Sequence, residues 1–304
     1  VNHPKETAVA LPRAERSPRQ SRSEALIDAG AAIDRAPPKG DDIAFTHSIF
    51  CQVGLPRRQT EGASFKRQFG NAWICVSAGY LDEGQGPVLQ PVPYGPAPRH
   101  LMAYMNTYAI RHRTREIPIG EDITDLLRLI GQENQGGNRY KTARLHLHAL
   151  AASRVQLGYR GRTFNDQPIE QFDAWSSDGS TRNRRWPGVL LLSKSYYESL
   201  KGAGVPIDRR ALRAIGGAAL DIDVYTWLAH RLTQIDQPQT ISWRALQDQF
   251  GDEYKDSSNF RREMNRALKV ALAVYPEARQ AIEPVRGGLR LRHASPPVPP
   301  KRAS

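Results

Sequence analysis

Only two cysteines, Cys51 and Cys75, occur among the 304 residues of this chain. Neither belongs to a Cys-x-x-Cys pair, which excludes zinc fingers and ribbons, and no metal is expected. Two reduced, part-buried thiols in a cytoplasmic protein are the simplest expectation. No apolar run approaches the ~18 residues of a membrane span, so no membrane partner is expected. The N-terminal segment lacks the apolar stretch of a secretory signal. There is no P-loop, no Gly-x-Gly-x-x-Gly after a strand and no Gly-x-Ser-x-Gly, so no cofactor is expected. Acidic residues are scarce: 31 Asp and Glu stand against 43 Lys and Arg, for a net charge of +12. The sequence pI of about 9.9 is the electrostatic footprint of nucleic-acid binding. An acidic protein or an anionic membrane would attract the same charge.

What the chain does contain is one pattern, twice. A helical stretch leads into a short strand, a short helix, a turn, a basic helix and then strands. The clearer copy runs through a helical stretch at 207–232, a strand at 240–243, a helix at 244–250, Gly251, a helix at 259–274, and strands at 279–283 and 288–292. That order is a helix-turn-helix with a β-wing, whose second helix is shaped to enter a DNA major groove. Within it, 207–215 reads as one helix with Asp208 as N-cap. The helix at 218–232 turns Leu220, Val224, Trp227 and Leu228 to one face. Trp227 and Trp243 are expected in the core.

The looser copy begins with a helix at 99–113, its apolar face set by Leu101, Met102, Met105, Tyr108 and Ala109. A strand at 116–119 and a helix at 123–130 follow, the helix ending at Gly131. A turn at 132–137 leads to a basic helix at 138–154. Strands 155–159 and 169–175 are expected to pair as a wing with 161–166 at its tip, and 189–192 to add a third strand. Before this copy, 45–53 and 72–81 read as strands. The polar stretch 54–70 reads as a loop, and the five prolines of 87–98 break regular structure. The polar stretch 176–185 reads as a long loop or a linker.

The expected fold class is α+β, with two winged-helix domains and disordered basic tails. The arm is 1–40, with one short helix at most. The N-terminal winged-helix domain is 41–194, the C-terminal one 195–294, and 295–304 is a Pro-rich tail.

In the second basic helix, Phe260, Met264, Ala267, Leu268 and Ala271 recur every three or four residues and face the core. Arg261, Arg262, Asn265, Arg266 and Lys269 occupy the remaining surface. Ser257, Ser258 and Asn259 stand at the helix N-terminus, where side chains and amides can meet phosphate. Arg reads guanine and Asn reads adenine bidentately. The corresponding candidates on the first basic helix are Asn138, Arg139, Lys141, Thr142 and Arg144. Wing residues Arg160, Arg162, Arg286, Arg290 and Arg292 are candidates for the backbone or minor groove, where contacts position rather than specify. The bland alternative is a solvated basic face on each core helix.

One constellation argues for catalysis instead. His146-Leu147-His148 with Tyr196-Tyr197 matches the metal-binding triplet and nucleophile of rolling-circle nickases. The triplet serves there only on a strand, where period two puts both imidazoles on one side. On the helix expected here they point in nearly opposite directions. Asp221 and Asp223, also two apart on a helix, form no metal pair. A non-enzymatic role is therefore expected.

The segments 207–215, 219–228, 241–251 (Ile241-Ser-Trp-Arg-Ala-Leu-Gln-Asp-Gln-Phe-Gly251) and Asn259-Phe-Arg-Arg262 resemble the plasmid-encoded RepA replication initiators of proteobacteria. The resemblance extends over 45–291 and is most specific at 220–262. It implies two winged-helix domains, recognition of repeated double-stranded DNA at an origin, and recruitment of host replication proteins. It also implies a monomer–dimer switch in which a homodimer represses its own gene. It implies no catalytic role and identifies no single DNA contact. The turn Tyr254-Lys-Asp-Ser-Ser258 departs from the pattern. A transcriptional repressor of the same fold is the alternative.

Overall fold

Short apolar segments punctuated by Gly, Pro and charged residues produce many brief elements. The computed structural model describes residues 22–132, 138–172 and 188–300. The expected turn at 132–137, apart from Gln132, and the polar stretch 176–185 lie outside them, as do 1–21 and 301–304.

Helix α1 (Arg22–Arg35) is followed by β1 (Ile43–His47), α2 (Ser48–Gln52), β2 (Ser64–Phe69), β3 (Ala72–Ser77), β4 (Tyr80–Asp82) and β5 (Pro87–Leu89). Next come α3 (Pro96–His112), β6 (Glu116–Pro118), α4 (Ile123–Leu129), α5 (Arg139–Ala152), β7 (Arg154–Tyr159), β8 (Arg162–Asp166), β9 (Ile169–Gln171) and β10 (Val189–Leu192). The remainder is α6 (Lys194–Ala203), β11 (Gly204–Asp208), α7 (Arg209–Ile215), α8 (Ala219–Arg231), β12 (Gln239–Ser242), α9 (Trp243–Phe250), α10 (Ser257–Ala273), β13 (Ile282–Val285) and β14 (Gly288–Leu291). The mixture of helices and antiparallel sheets is α+β, as expected.

Two hydrophobic cores form among the described residues. The first gathers Ile74, Leu101, Met105, Ile117, Leu126, Leu147, Leu157 and Leu192. The second gathers Leu220, Val224, Tyr225, Leu228, Leu246, Phe260, Met264, Leu268 and Leu289. Helix α8 is buried from Ala219 to Ala229 on every side, including Asp221 and Asp223, so those carboxylates need partners.

Several elements differ from expectation. The segment expected as an outlying arm carries α1, whose Ile33 joins the second core. The helix approaches α10 so closely that a Cβ on Gly30 would lie 2.5 Å from the Ala273 carbonyl oxygen. Part of the Pro-rich tail also packs: Val298 is buried, and the Tyr275 hydroxyl donates to the Ser295 carbonyl at 2.7 Å. Strand β1 ends at His47, because the His47 imidazole accepts from the Ile49 amide at 3.2 Å and caps α2. The expected strand 45–53 is therefore a strand followed by a helix. Strand β1 pairs with β11 from the far half of the chain. Residues 207 and 208 thus belong to a strand, and the expected helix starts at Arg209 with Asp208 as its N-cap. The expected loop 54–70 contains β2, the edge of a sheet ordered β2-β3-β7-β8. Strand β5 lies within the proline-rich stretch, and α3 starts at Pro96, a residue tolerated in a helix's first turn.

The first wing also differs. Strand β7 pairs with β8, not with β9, across a two-residue turn of Arg160 and Gly161. Both turn residues have positive φ, 48° and 79°, the backbone of a tight hairpin. Strands β9 and β10 form a separate sheet with β6. Arg154, expected to end α5, begins β7.

Candidate nucleic-acid interface

Helix α10 is held from below and open above. Phe260, Met264, Ala267, Leu268 and Ala271 are all buried, as their spacing predicts. Arg261, Arg262, Asn265, Arg266 and Lys269 are exposed. The preceding α9 is capped by the Ser242 hydroxyl, which accepts from the Ala245 amide at 3.1 Å. It buries Leu246 and Phe250 and ends at Gly251. A Cβ there would lie 2.6 Å from Gln247, so the chain can turn sharply only with glycine. Strands β12, β14 and β13 form one sheet, and β13 joins β14 through Arg286 and Gly287. Both hairpins thus carry an Arg-Gly pair at the tip.

The candidates do not share one situation. The Arg262 side chain is 73% exposed and reaches Glu263 and the Asn259 side chain. Arg261 lies over the Trp243 ring, 5.9 Å from its centroid. Asn265 and Lys269 are exposed on the same helix. Arg266 differs from these. Its guanidinium donates to both oxygens of Asp221 at 2.7 and 2.9 Å and to Glu263 at 3.0 Å. Asp221 is fully buried, so Arg266 neutralises a core carboxylate. The hydrogen bond to Asp221 raises its pKa further, against the effect of burial.

The N-terminus of α10 is similarly occupied. The Asp256 carboxylate accepts from the Ser258 and Asn259 amides at 3.1 and 3.2 Å and from the Ser258 hydroxyl at 2.5 Å. Those hydrogen bonds hold Asp256 below the usual carboxylate range. A negative cap therefore sits where phosphate was expected to meet Ser257, Ser258 and Asn259.

On α5, Ala143, Leu147 and Leu150 are buried and Leu145 is half-buried. Asn138, Lys141 and Thr142 are exposed, and Arg139 opens the helix with its side chain outside the described residues. Arg144 is paired with Glu83 at 2.9 Å. Glu83 also meets His148 at 3.1 Å and accepts from Gln90 at 2.9 Å. Burial pushes the Glu83 carboxyl upward, but these hydrogen bonds outweigh it and hold the pKa low. Arg160 lies 5.3 Å from the Tyr159 ring centroid, and Arg162 is exposed beside it. In the other wing, Arg290 and Arg292 approach Glu283 at 3.9 and 2.6 Å, while Arg286 is exposed at the tip.

The histidine triplet is divided. His146 packs edge-on against Tyr94 at 4.8 Å, while His148 meets Glu83. Burial pushes the His146 pKa down to about 4. Tyr196 is buried, with its hydroxyl donating to Asn106 at 3.0 Å. Burial raises its pKa well above the phenol range. Among the described residues, no group of three or more His, Cys, Asp or Glu is placed to hold a metal.

Sequence reasoning missed a cluster beside the turn of the second helix pair. Arg57, Arg67 and Arg99, each at least nine-tenths buried, face Asp223, Asp252 and Glu253. Arg99 binds Asp223 as a fork, at 2.6 and 2.8 Å. Asp221 and Asp223, two residues apart, are therefore each paired with an arginine. Only the burial of α8 carried a signal of this, since an apolar helix containing two acids calls for counter-charges.

The model of the plasmid-encoded RepA protein family matches residues 92–245, from just before α3 into the first turn of α9. Among solved structures, the chain is similar to selenomethionine derivatives of domains 2 and 3 of RctB. Identity there is 15%, with 73% of this chain and 83% of that one covered and a TM-score of 0.49. A second structure of RctB domains 2–3 gives 14%, 78%, 83% and 0.48. No curated protein matches the chain. No helix among the described residues is long and apolar enough to cross a membrane. With its matched segment covering just over half of the chain, the protein belongs to the plasmid-encoded RepA family.

Proposed function

We propose that this chain initiates plasmid replication by binding repeated double-stranded DNA at an origin, through two winged helix-turn-helix units. In the first unit α4 supports the recognition helix α5, and β7 and β8 form the wing. In the second, α9 supports α10, and β13 and β14 form the wing. The observation that carries the reading is α10. Its apolar face is fully buried, while Arg261, Arg262, Asn265 and Lys269 stand exposed together, and an arginine-tipped hairpin follows it in the chain. Such a helix can read base edges while the wing meets the backbone.

The contacts proposed for α10 are Arg261, Arg262, Asn265 and Lys269. For α5 they are Asn138, Arg139, Lys141 and Thr142, and for the wings Arg160, Arg162, Arg286 and Arg290. Arg144, Arg266, Ser257, Ser258 and Asn259 serve the fold first. The chain acts in the cytoplasm by binding rather than by catalysis. It works with host replication proteins, and a homodimeric form acts as repressor. The two units correspond to the two cores, with α1 and β1 attached to the second.

The test is binding of the purified protein to fluorescent duplexes tiled across the DNA flanking its own gene, at two salt concentrations. Tight, salt-sensitive binding to one set of direct repeats supports the reading. Weak, uniform binding refutes it, and a single inverted repeat over a promoter favours a repressor instead.

A further inference from the structure

The three buried arginines beside the second helix pair join parts of the chain that are remote in sequence. Arg67 lies on β2, in the same sheet as the first wing. Its Nη2 reaches both Asp252 oxygens at 2.6 and 2.7 Å, and its Nη1 donates to the Gly54 carbonyl at 3.1 Å. The Arg57 amide donates to Glu253 Oε1 at 2.8 Å, and its guanidinium donates to the Phe250 carbonyl. Arg99, on α3, grips Asp223 on α8. Gln249, on α9, donates to the Gln52 carbonyl at 2.8 Å. Asp252 and Glu253 are the turn between α9 and α10. The sheet that carries the first wing therefore holds the turn from which the second recognition helix starts.

Three arginines face three carboxylates, so the cluster is close to neutral. A buried ionic cluster adds little net stability over apolar packing, and its best-attested use is to specify one arrangement among several. The forked Arg–carboxylate geometry fixes direction as well as distance. We infer that Arg57 and Arg67, with Asp252 and Glu253, set the distance and rotation between α5 and α10. They thereby select the spacing of the two DNA segments that the chain binds at once. They are positioning residues and touch no DNA themselves. The inference rests on the function proposed above.

The test uses the full-length double variant D252N/E253Q, which keeps side-chain size and removes both charges from the turn. Three duplexes are compared: the cognate site, the same site with five base pairs inserted between its two segments, and the α10 segment alone. The insertion turns one segment to the opposite face of the helix. The wild type is expected to lose about 100-fold or more, because simultaneous engagement is forbidden. The variant is expected to lose less than about tenfold on insertion, having already lost affinity for the cognate spacing. On the single segment it should match the wild type within about twofold, because every residue that meets DNA is unaltered. Unchanged spacing discrimination in the variant overturns the inference, as does an equal loss on all three duplexes. If the double variant does not fold, R67K serves the same comparison, since lysine keeps the charge but lacks the fork. A wild type with no sequence preference on any duplex removes the function reading, and the inference with it. A wild type that binds the cognate site but tolerates the insertion removes the inference alone.

Discussion

Arg262 and Arg266 stand one helical turn apart on the same surface of α10, yet Arg262 meets surface-side groups while Arg266 meets the buried Asp221. Replacing Arg266 by Ala leaves the Asp221 carboxylate, which is 0% exposed, without the guanidinium that bonds it at 2.7 and 2.9 Å. Breaking a buried pair by removing one partner typically costs ~3–5 kcal/mol. Two features place this case lower. The Arg266 side chain is 42% exposed, so solvent already screens part of the attraction. Asp221 also lies in the first turn of α8, where the helix dipole favours a negative charge. The expected loss is therefore about 2–3 kcal/mol, or about 3–5 °C in melting temperature for a chain of this size. Arg262→Ala removes a side chain that is itself 73% exposed, so its stability should stay within about 0.5 kcal/mol of the wild type. Its affinity for the cognate duplex should fall by about 1–3 kcal/mol, and by less on random DNA, if it reads a base. Thermal melting and duplex titration of both variants decide the matter. An Arg266→Ala protein that melts with the wild type, or an Arg262→Ala protein that melts well below it, refutes the assignment.

Two further outcomes are expected. Arg290→Ala, paired with Arg286→Ala to remove the tip of the second wing, should weaken binding to all sequences and lower the salt slope by about one for each phosphate that is no longer neutralised. An unchanged slope would take that wing out of the interface. His47, His100 and His146 are all buried, and burial pushes each pKa down from 6.5 to about 4. The unfolded chain then takes up protons that the folded chain refuses, so stability is full above pH 6.5 and declines as pH falls toward 4. Urea melts between pH 7 and 5 should show this decline, and it should be shallower in His47→Asn, since Asn can still cap α2. Equal slopes for the two proteins would contradict the burial argument.

The elements around α9 and α10 were legible in the sequence because their signals are local. Phe260 to Ala271 repeat at helical spacing, Gly251 stops α9, and the strands of the wing flank a glycine turn. The features that sequence reasoning missed depend on distant partners. Strand β2 is a polar edge strand whose Arg67 answers Asp252, 185 residues away, so no alternation marked it. Helix α1 lies in the segment expected as an arm, and the α10 surface that receives it is built by residues far along the chain. The stretch from Phe45 onward has the aromatic and β-branched content of a strand, and only the His47 side chain, capping the next helix, ends it. On the candidate interface, periodicity separated the buried from the exposed residues of α10 correctly. It could not tell Arg262 from Arg266, because a surface position says nothing of a buried acid on a neighbouring helix. In the same way Asp256 was not read as the cap that occupies the α10 N-terminus.

Everything proposed for DNA recognition depends on both helices engaging the duplex together. A hydroxyl-radical footprint of the protein on its cognate repeat measures this directly. Two protected segments are expected in successive major grooves, about 10–10.5 base pairs apart from centre to centre. Arg262→Ala should weaken one of them and Lys141→Ala the other. One protected segment, or two that weaken together under either substitution, would contradict joint engagement.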